Sequence, residues 1–299
     1  MQTGENRYNA TVTHIRRIHD DLLILWVRPD FGRLEYLPGQ YAILGLGTWE
    51  PPVPCEESID DPPRLLIRRA YSMSHTPVDE HGRLLRPGDS AELEFYISLV
   101  RQGKPGRPLL TPRLFLLEPG RRLFLHPQAR GSYTLENVPQ AANVLFAATG
   151  TGEAPHNAMV AQLLSAGHRG QLASIVCVRQ RRDLPYAEAH RQLTKQFSNY
   201  RYLPLTTREP ENLDSSSPGF VGKKYVQDIL TSSAAEQTLG FPLTPQNCHV
   251  FLCGNPDMLG LVPTATATER PGAIATLQEA GFTIDTPVDP GNIHIERFF

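Results

Sequence analysis

The chain has 299 residues, more than one domain of ordinary size, so its length predicts two domains. Its composition is that of a water-soluble enzyme, with 40% hydrophobic residues, 20% charged residues and a formal net charge of -2. This balance gives no indication of the basic surface that nucleic-acid-binding and membrane-surface proteins carry.

No apolar run approaches the roughly 18 residues that a membrane span needs, and segment 1–9 is polar without an apolar signal region. We therefore expect no membrane insertion and a cytoplasmic location. The four cysteines form no C-x-x-C pair and no close cluster, which predicts free thiols and no metal or iron–sulfur site.

Short strands separated by turns dominate the first half of the chain. Strands are predicted at 8–12, 22–27, 41–46, 65–67, 93–100 and 122–125, with a short helix within 109–116. A proline-rich acidic segment, 48–63, interrupts them and predicts a surface loop. Within 93–100, four apolar side chains are expected to share one face: Leu93, Phe95, Ile97 and Leu99. The pattern favours an antiparallel β-barrel for residues 1–139.

From about residue 140 strands and helices alternate. Strands are predicted at 144–148, 172–178, 200–205 and 249–252, with an edge strand around Ile293 and Ile295. Helices are predicted at 158–164, 187–197, 225–230 and 272–281. Apolar strands between helices are typical of a parallel sheet covered on both faces, so residues 140–299 are expected to form an α/β domain.

The stretch Arg69-Ala70-Tyr71-Ser72 follows an apolar strand and brings chemistry suited to a flavin. It supplies a fixed cation, a flat phenol and a hydroxyl within four residues. These groups suit the diphosphate, the ring face and the ring edge of a flavin, respectively. Taken singly, Arg69 is as well explained as a surface arginine and Tyr71 as a half-buried strand aromatic.

Two further motifs follow buried strands of the second half. The turn Gly150-Thr151-Gly152 lies where open α/β sheets bind ligands, and its glycines allow a pyrophosphate to approach the backbone. Pro155 suits the opening of the next helix. The turn is neither G-x-G-x-x-G nor a P-loop, so alone it is equally explained as an ordinary turn. The third motif, Cys253-Gly254-Asn255-Pro256, begins with a cysteine that packing alone would explain.

In this order and at these separations, the three motifs resemble those of the bacterial-type, FAD-containing ferredoxin–NADP reductase family. The resemblance covers nearly all of the chain except segments 48–63, 104–108 and 263–271. It implies a β-barrel domain for FAD and an α/β domain for NADP(H). It also implies a monomeric enzyme in which NADPH passes a hydride to flavin N5 and electrons leave singly to ferredoxin or flavodoxin.

The resemblance further implies roles for individual residues. Ser72 would hydrogen-bond near flavin N5, Cys253 would provide packing near the nicotinamide, and Glu296 lies near the terminal aromatic, Phe299 or Phe298, that stacks on the flavin. The positions implied for FAD are Arg69, Ala70, Tyr71, Ser72, Tyr96, Ser98, Val100, Leu110 and Thr111. Those implied for NADP(H) are Gly150, Thr151 and Gly152 at the pyrophosphate and Arg179, Arg208, Lys223 and Lys224 at the 2′-phosphate.

The sequence departs from the family pattern at four places. Glu153 stands where an apolar residue is more usual, and a carboxylate there costs pyrophosphate affinity unless it points away. Lysines stand at 223 and 224 in place of the more usual arginine, and phenylalanine ends the chain in place of tyrosine or tryptophan. Segment 104–108 lengthens the loop before the second diphosphate contact.

Two alternative functions stay open on the sequence alone. One is a related NAD(P)H flavoprotein reductase with another acceptor, and the other is a non-catalytic flavin-binding sensor module. Four arginines are candidates to face an acidic partner, although surface arginines usually have no such role: Arg16, Arg17, Arg121 and Arg122.

Overall fold

The computed structural model of the protein describes residues 7–54, 64–101, 109–261 and 271–297. The chain divides into two compact units, Met1–His75 with Pro87–Thr134 and Thr76–Arg86 with Leu135–Phe299. The predicted boundary between residues 139 and 140 stays a prediction. Over the described ranges, no helix has the length and apolar character required to cross a membrane.

The first unit is a closed barrel of six antiparallel strands, in the order β1-β2-β5-β4-β3-β6. The strands are β1 Ala10–His19, β2 Leu22–Pro29, β3 Tyr41–Gly47, β4 Leu66–Ser74, β5 Leu93–Ser98 and β6 Arg122–Leu125. Pairing of Ala10 with Leu123 closes the barrel between β1 and β6. The predicted antiparallel barrel is confirmed, and the helix α1, Thr111–Leu114, lies within the predicted segment.

Alternate side chains of the strands fill the barrel, as period-2 patterning requires. On β2 the core residues are Leu23, Leu25 and Val27. The expected face of β5 is also confirmed, because Leu93, Phe95 and Ile97 belong to the same core, with Leu99 packed against it. The other face of β5 is buried as well: Glu94 is 6% and Tyr96 5% exposed.

Two barrel strands are longer than their apolar runs predicted. β1 continues through Arg16 and Arg17, which pair with Ile24 and Leu23 of β2. β4 continues from Leu66 to Ser74, paired with β3 as far as Ser72 and with β5 at Met73 and Ser74. In both cases the backbone ladder extends the strand past the end of the hydrophobic pattern, because pairing with a neighbouring strand outweighs local propensity.

The second unit is built on a five-stranded parallel sheet in the order β11-β10-β7-β8-β9. Its strands are β7 Asn143–Thr149, β8 Leu172–Val178, β9 Tyr200–Thr206, β10 Cys248–Gly254 and β11 Ile293–Arg297. The predicted α/β domain is confirmed, and β11 is an edge strand as predicted. The four predicted helices are α2 Glu153–Ser165, α3 Ala187–Gln196, α5 Val226–Leu230 and α8 Ala273–Glu279.

The remaining differences from the predicted elements are local. The helices α4 Pro210–Leu213, α6 Ala235–Leu239 and α7 Pro256–Leu259 were not predicted, since four or five residues are too few to show helical periodicity. The helix α2 begins at Glu153 rather than at 158. It follows directly on a 3₁₀ turn over Gly150–Gly152.

Candidate cofactor-binding sites

In the barrel unit, the Arg69–Ser72 stretch lies inside β4 and is held along its length by β3. Arg69 is paired with Leu44, and Ser72 with Tyr41. The neighbouring Met73 N–H donates to the Gln40 carbonyl oxygen at 3.1 Å. The backbone of the motif is therefore fixed by ladder bonds, which fixes the direction in which each side chain leaves the strand.

The solvent exposure of the side chains decreases along the motif from Arg69 to Ser72. Arg69 and Ala70 are exposed, Tyr71 is half-buried, and Ser72 is 6% exposed. Burial raises the pKa of the Tyr71 hydroxyl, and the nearby Arg69 only partly offsets this, so the phenol stays neutral at physiological pH. An accessible cation, a half-covered ring and a sheltered hydroxyl fit the diphosphate, ring and edge of a flavin.

The second predicted FAD segment comes together at the start of α1. The Val100 N–H donates to the Thr111 hydroxyl at 3.0 Å, and that hydroxyl lies 3.4 Å from the Val100 carbonyl oxygen. The Thr111 hydroxyl therefore clamps the chain after β5 to the helix. Leu110 and Tyr96 are buried, whereas Ser98 and Val100 are exposed. The predicted loop extension at 104–108 lies outside the described residues.

Three of the four arginines considered for an acidic partner form ion pairs within the barrel unit instead. Arg17 lies 3.1 Å from Glu118, Arg121 lies 3.3 Å from Glu50, and Arg122 forms an ion pair with Asp30. Arg122 also lowers the pKa of the Asp30 carboxyl. Because these charges are already compensated, they carry no argument for a partner surface.

In the α/β unit, the predicted pyrophosphate turn meets Cys253 at the carboxyl ends of neighbouring strands. Cys253 is paired with Ala148 of β7 on one side and with Glu296 of β11 on the other. A Cβ on Gly152 would overlap the carbonyl oxygen of Cys253 and would lie 2.6 Å from the carbonyl carbon of the same residue. Gly150 has a φ of +54° with open space beside its α-carbon. The two glycines thus allow a tight turn that leaves room for a phosphate group.

A further contact, which the sequence did not predict, locks this turn to the third motif. The Thr149 hydroxyl accepts a hydrogen bond from the Asn255 N–H at 2.6 Å. Gly254 has a φ of +134°, and a Cβ there would overlap the Thr149 hydroxyl oxygen. Gly254 is the sequence feature from which this contact could have been predicted, because a glycine at the end of a strand can mark a close approach of two backbones.

Burial sets the protonation of Cys253 and Glu296. Cys253 is fully buried, and burial, with the Glu296 charge adding to it, raises the pKa of its thiol well above the usual range. Cys253 is therefore a neutral, packed thiol. Burial also raises the pKa of Glu296 to about 7, so this carboxyl can hold or release a proton near neutral pH.

The cations predicted for a 2′-phosphate lie where β8 and β9 end. The Arg208 N–H donates to the Arg179 carbonyl oxygen at 2.8 Å, so these two residues are neighbours. Asn212 donates to the Gly222 carbonyl oxygen at 3.0 Å, which holds the chain before Lys223 against the segment after Arg208. The structure thus brings the predicted basic positions to one edge of the sheet.

All four of these basic side chains are exposed: Arg179, Arg208, Lys223 and Lys224. Nearby Arg181 is different, since it forms an ion pair with Glu211 and its N–H donates to the Glu209 carboxylate at 2.6 Å. Arg181 therefore pairs with two carboxylates of this region, Glu209 and Glu211. The four exposed cations are therefore candidates to bind an anionic group.

Glu153 points away from the turn, so its side chain does not oppose a pyrophosphate bound there. Its side chain is 1% exposed and accepts a hydrogen bond from the Tyr202 hydroxyl at 3.1 Å. The last predicted site residue, Phe299, and its neighbour Phe298 lie outside the described residues. The assignment of site residues to cofactors stays a prediction.

Comparison with known proteins finds similarity to ferredoxin–NADP reductases in both sequence and fold. Residues 146–263 match the model of the oxidoreductase NAD-binding domain. The flavodoxin/ferredoxin–NADP reductase of Escherichia coli (strain K12) is 27% identical over 83% of this chain and 85% of that protein. The ferredoxin–NADP reductase of Pseudomonas aeruginosa is 24% identical over 98% of each chain.

The fold has a solved counterpart in a crystal structure of a ferredoxin NADP⁺ reductase from Neisseria gonorrhoeae with bound FAD and NADP. The two chains superpose with a TM-score of 0.70 at 21% identity, over 97% of this chain and 98% of that one. The superposition therefore includes both units of the present chain. The resemblance to the ferredoxin–NADP reductase family that the motifs predicted is confirmed.

Proposed function

We propose that the protein is an FAD-dependent oxidoreductase that exchanges electrons between NADP(H) and ferredoxin or flavodoxin. The observation that carries this proposal is the convergence of Gly152, Cys253 and Glu296 at the carboxyl ends of β7, β10 and β11. The names of the similar reductases from Escherichia coli and Pseudomonas aeruginosa support the choice of reaction.

The barrel unit would hold the flavin through the β4 motif. Arg69 would neutralise the diphosphate, Tyr71 would cover a ring face as a neutral phenol, and the Ser72 hydroxyl would hydrogen-bond at the ring edge. Bound FAD supplies the conversion between the two-electron chemistry of a nicotinamide and the one-electron chemistry of a carrier protein. The contribution of these three residues is binding and orientation.

The α/β unit would bind NADP(H) at two places, the pyrophosphate and the 2′-phosphate of the dinucleotide. The Gly150–Gly152 backbone and the amino end of α2 offer N–H donors and the positive end of a helix to the pyrophosphate. Arg179 and Arg208 would bind the 2′-phosphate with planar guanidinium groups, and Lys223 would add a point charge.

Cys253 and Glu296 would lie at the nicotinamide end of this site. The neutral thiol of Cys253 provides a packed, uncharged surface, because burial keeps it protonated. Glu296, at a half-buried position, would hold or release a proton near neutral pH. Phe299 would cover the flavin when no nicotinamide is bound. We also propose a cytoplasmic monomer.

An anaerobic absorption titration of the purified protein with NADPH, and in parallel with NADH, tests the proposal. Flavin absorption that bleaches at much lower NADPH than NADH concentration is the expected result. Equal response to both would contradict the 2′-phosphate assignment and favour a reductase of broader cofactor use. A flavin that NADPH does not reduce would favour a sensor module, and a protein that binds no FAD would overturn the proposal.

A further inference from the structure

The Glu153 carboxylate is buried at the first residue of α2, on the inner side of the proposed pyrophosphate turn. Its Oε1 accepts a hydrogen bond from the Tyr202 hydroxyl at 3.1 Å and lies 3.4 Å from His190 Nε2. Its Oε2 has no hydrogen-bond partner in the part of the chain that the structure describes. Burying a carboxylate is unfavourable for stability, and an apolar side chain of similar size would avoid the cost.

The polar network around Glu153 joins four elements of the α/β unit. His190 of α3 places Nε2 2.9 Å from Asn157 Oδ1 of α2 and Nδ1 2.8 Å from the Tyr200 hydroxyl of β9. Tyr200 donates to Ser174 Oγ of β8 at 3.0 Å. The Tyr202 ring stacks on His190 at 4.4 Å between centroids. Because hydrogen bonds are directional, such a network fixes the position of a helix more narrowly than apolar packing does.

The Glu153–Tyr202 contact connects two parts of the proposed dinucleotide site. Glu153 directly follows the Gly150–Gly152 turn, so its position sets where the first N–H groups of α2 lie. Tyr202 belongs to β9, and the chain that leaves β9 carries Arg208. The contact therefore ties the pyrophosphate side of the site to the strand that leads to the 2′-phosphate side.

We propose that Glu153 is a positioning residue for NADP(H), which holds the first turn of α2 against Tyr202 and His190. The Glu153 side chain faces Tyr202 and His190 and acts through the backbone of Gly150–Gly152. The inference rests on the proposed function and deepens it, because it names the side chain that sets the geometry of dinucleotide binding.

The variants Tyr202→Phe and Tyr200→Phe provide a matched test. Both tyrosines lie on β9 and place a hydroxyl in the network, but only the Tyr202 hydroxyl donates to Glu153. With the FAD-loaded protein, NADPH and ferricyanide as acceptor, Y202F is expected to raise KM for NADPH about five- to tenfold, which corresponds to the net contribution of one ordinary hydrogen bond. Its kcat is expected to stay within about twofold of the wild type. Y200F, whose hydroxyl reaches Glu153 only through His190, is expected to raise KM less than Y202F does, by at most about twofold, while lowering the thermal midpoint.

Two substitutions of Glu153 itself provide the second measurement. Glu153→Gln keeps an oxygen that accepts from Tyr202, and its KM for NADPH is expected to stay close to that of the wild type. Glu153→Leu removes the acceptor and is expected to raise KM as Y202F does. This pair decides the question if Y202F fails to fold.

The outcomes separate this inference from the proposed function. A wild-type protein that oxidises NADPH, with equal KM values in Y202F and Y200F or an unchanged KM in E153L, would overturn the inference alone. A wild-type protein that does not oxidise NADPH would overturn the proposed function and the inference together.

Discussion

Gly152 and Cys253 pack backbone against backbone, so that even a methyl group on Gly152 would overlap the Cys253 carbonyl. The atoms that such a methyl group meets belong to the paired strand β10, which is held by β7 and β11 and cannot move aside as a flexible side chain can. The contact therefore fixes the distance between the turn after β7 and the end of β10.

Gly152→Ala is expected to lower the free energy of unfolding by about 1–3 kcal/mol, because it overpacks a rigid contact. It is also expected to raise KM for NADPH at least about tenfold by displacing the turn. Urea unfolding and steady-state kinetics measure the two effects. Gly120→Ala is the control, since Gly120 has a φ of +88° with open space beside it, and strain there should cost about 1–2 kcal/mol without changing KM. A normal KM in G152A would show that the turn can shift without affecting the dinucleotide.

Arg179→Ala is expected to weaken the preference for NADPH over NADH. Loss of one charged hydrogen bond to a 2′-phosphate corresponds to roughly a tenfold or greater rise in KM for NADPH, with little change for NADH. Arg169→Ala is the matched control, because Arg169 is also exposed but precedes the amino end of β8, whereas Arg179 follows its carboxyl end. Equal effects of the two substitutions on the NADPH/NADH ratio would contradict the assignment of Arg179.

Glu296→Gln is expected to flatten part of the pH dependence of stability. Burial raises the pKa of Glu296 to about 7 from 4.5, so between these pH values the folded protein holds a proton that the unfolded chain has released. Stability from this group is full below about pH 4.5 and is lost as pH rises through about 7. Relative to the wild type, E296Q should therefore gain thermal midpoint on going from pH 5 to pH 8. The exposed Glu279→Gln is the control, and the same gain there would contradict the prediction.

His294→Phe is expected to remove a contribution to stability whose pH dependence runs in the opposite direction. Burial lowers the pKa of His294 to about 4 from 6.5, although Asp285, 3.1 Å away, opposes the shift. Stability from this group is full above about pH 6.5 and is lost as pH falls through about 4, by up to about 1.4 kcal/mol per pH unit. Phenylalanine preserves the stack on Phe251 and should remove this contribution. Urea unfolding between pH 4 and 6.5 measures it, with exposed His81→Phe as the control that should keep the wild-type slope.

The architecture could be predicted because its signals are local. The apolar run 172–178 gave β8 with the bounds that the structure has, since a buried parallel strand is apolar on both faces. The edge where Gly152 and Cys253 meet followed from the rule that parallel strands end at a common edge. The precise backbone contact did not follow, because it depends on the register between β7 and β10.

The orientation of Glu153 could not be predicted for a related reason. Its partner Tyr202 is 49 residues away in sequence, and His190 reaches it from a different helix. Spacing along the chain shows that Glu153 follows the turn, but only the assembled network shows that it points inward. The short helices α4, α6 and α7 lacked a periodic pattern altogether.

Because of the segment Thr76–Arg86, each of the two units is built from two separate stretches of the sequence. Within it Val78 bridges to Leu84, and the Gly82 carbonyl oxygen accepts from Gln196 of α3 at 2.7 Å, so it belongs with the α/β unit although it lies between β4 and β5. A single recombination crossover therefore cannot exchange one unit intact with a relative. Chimaeras that preserve both units need junctions after His75, after Arg86 and after Thr134.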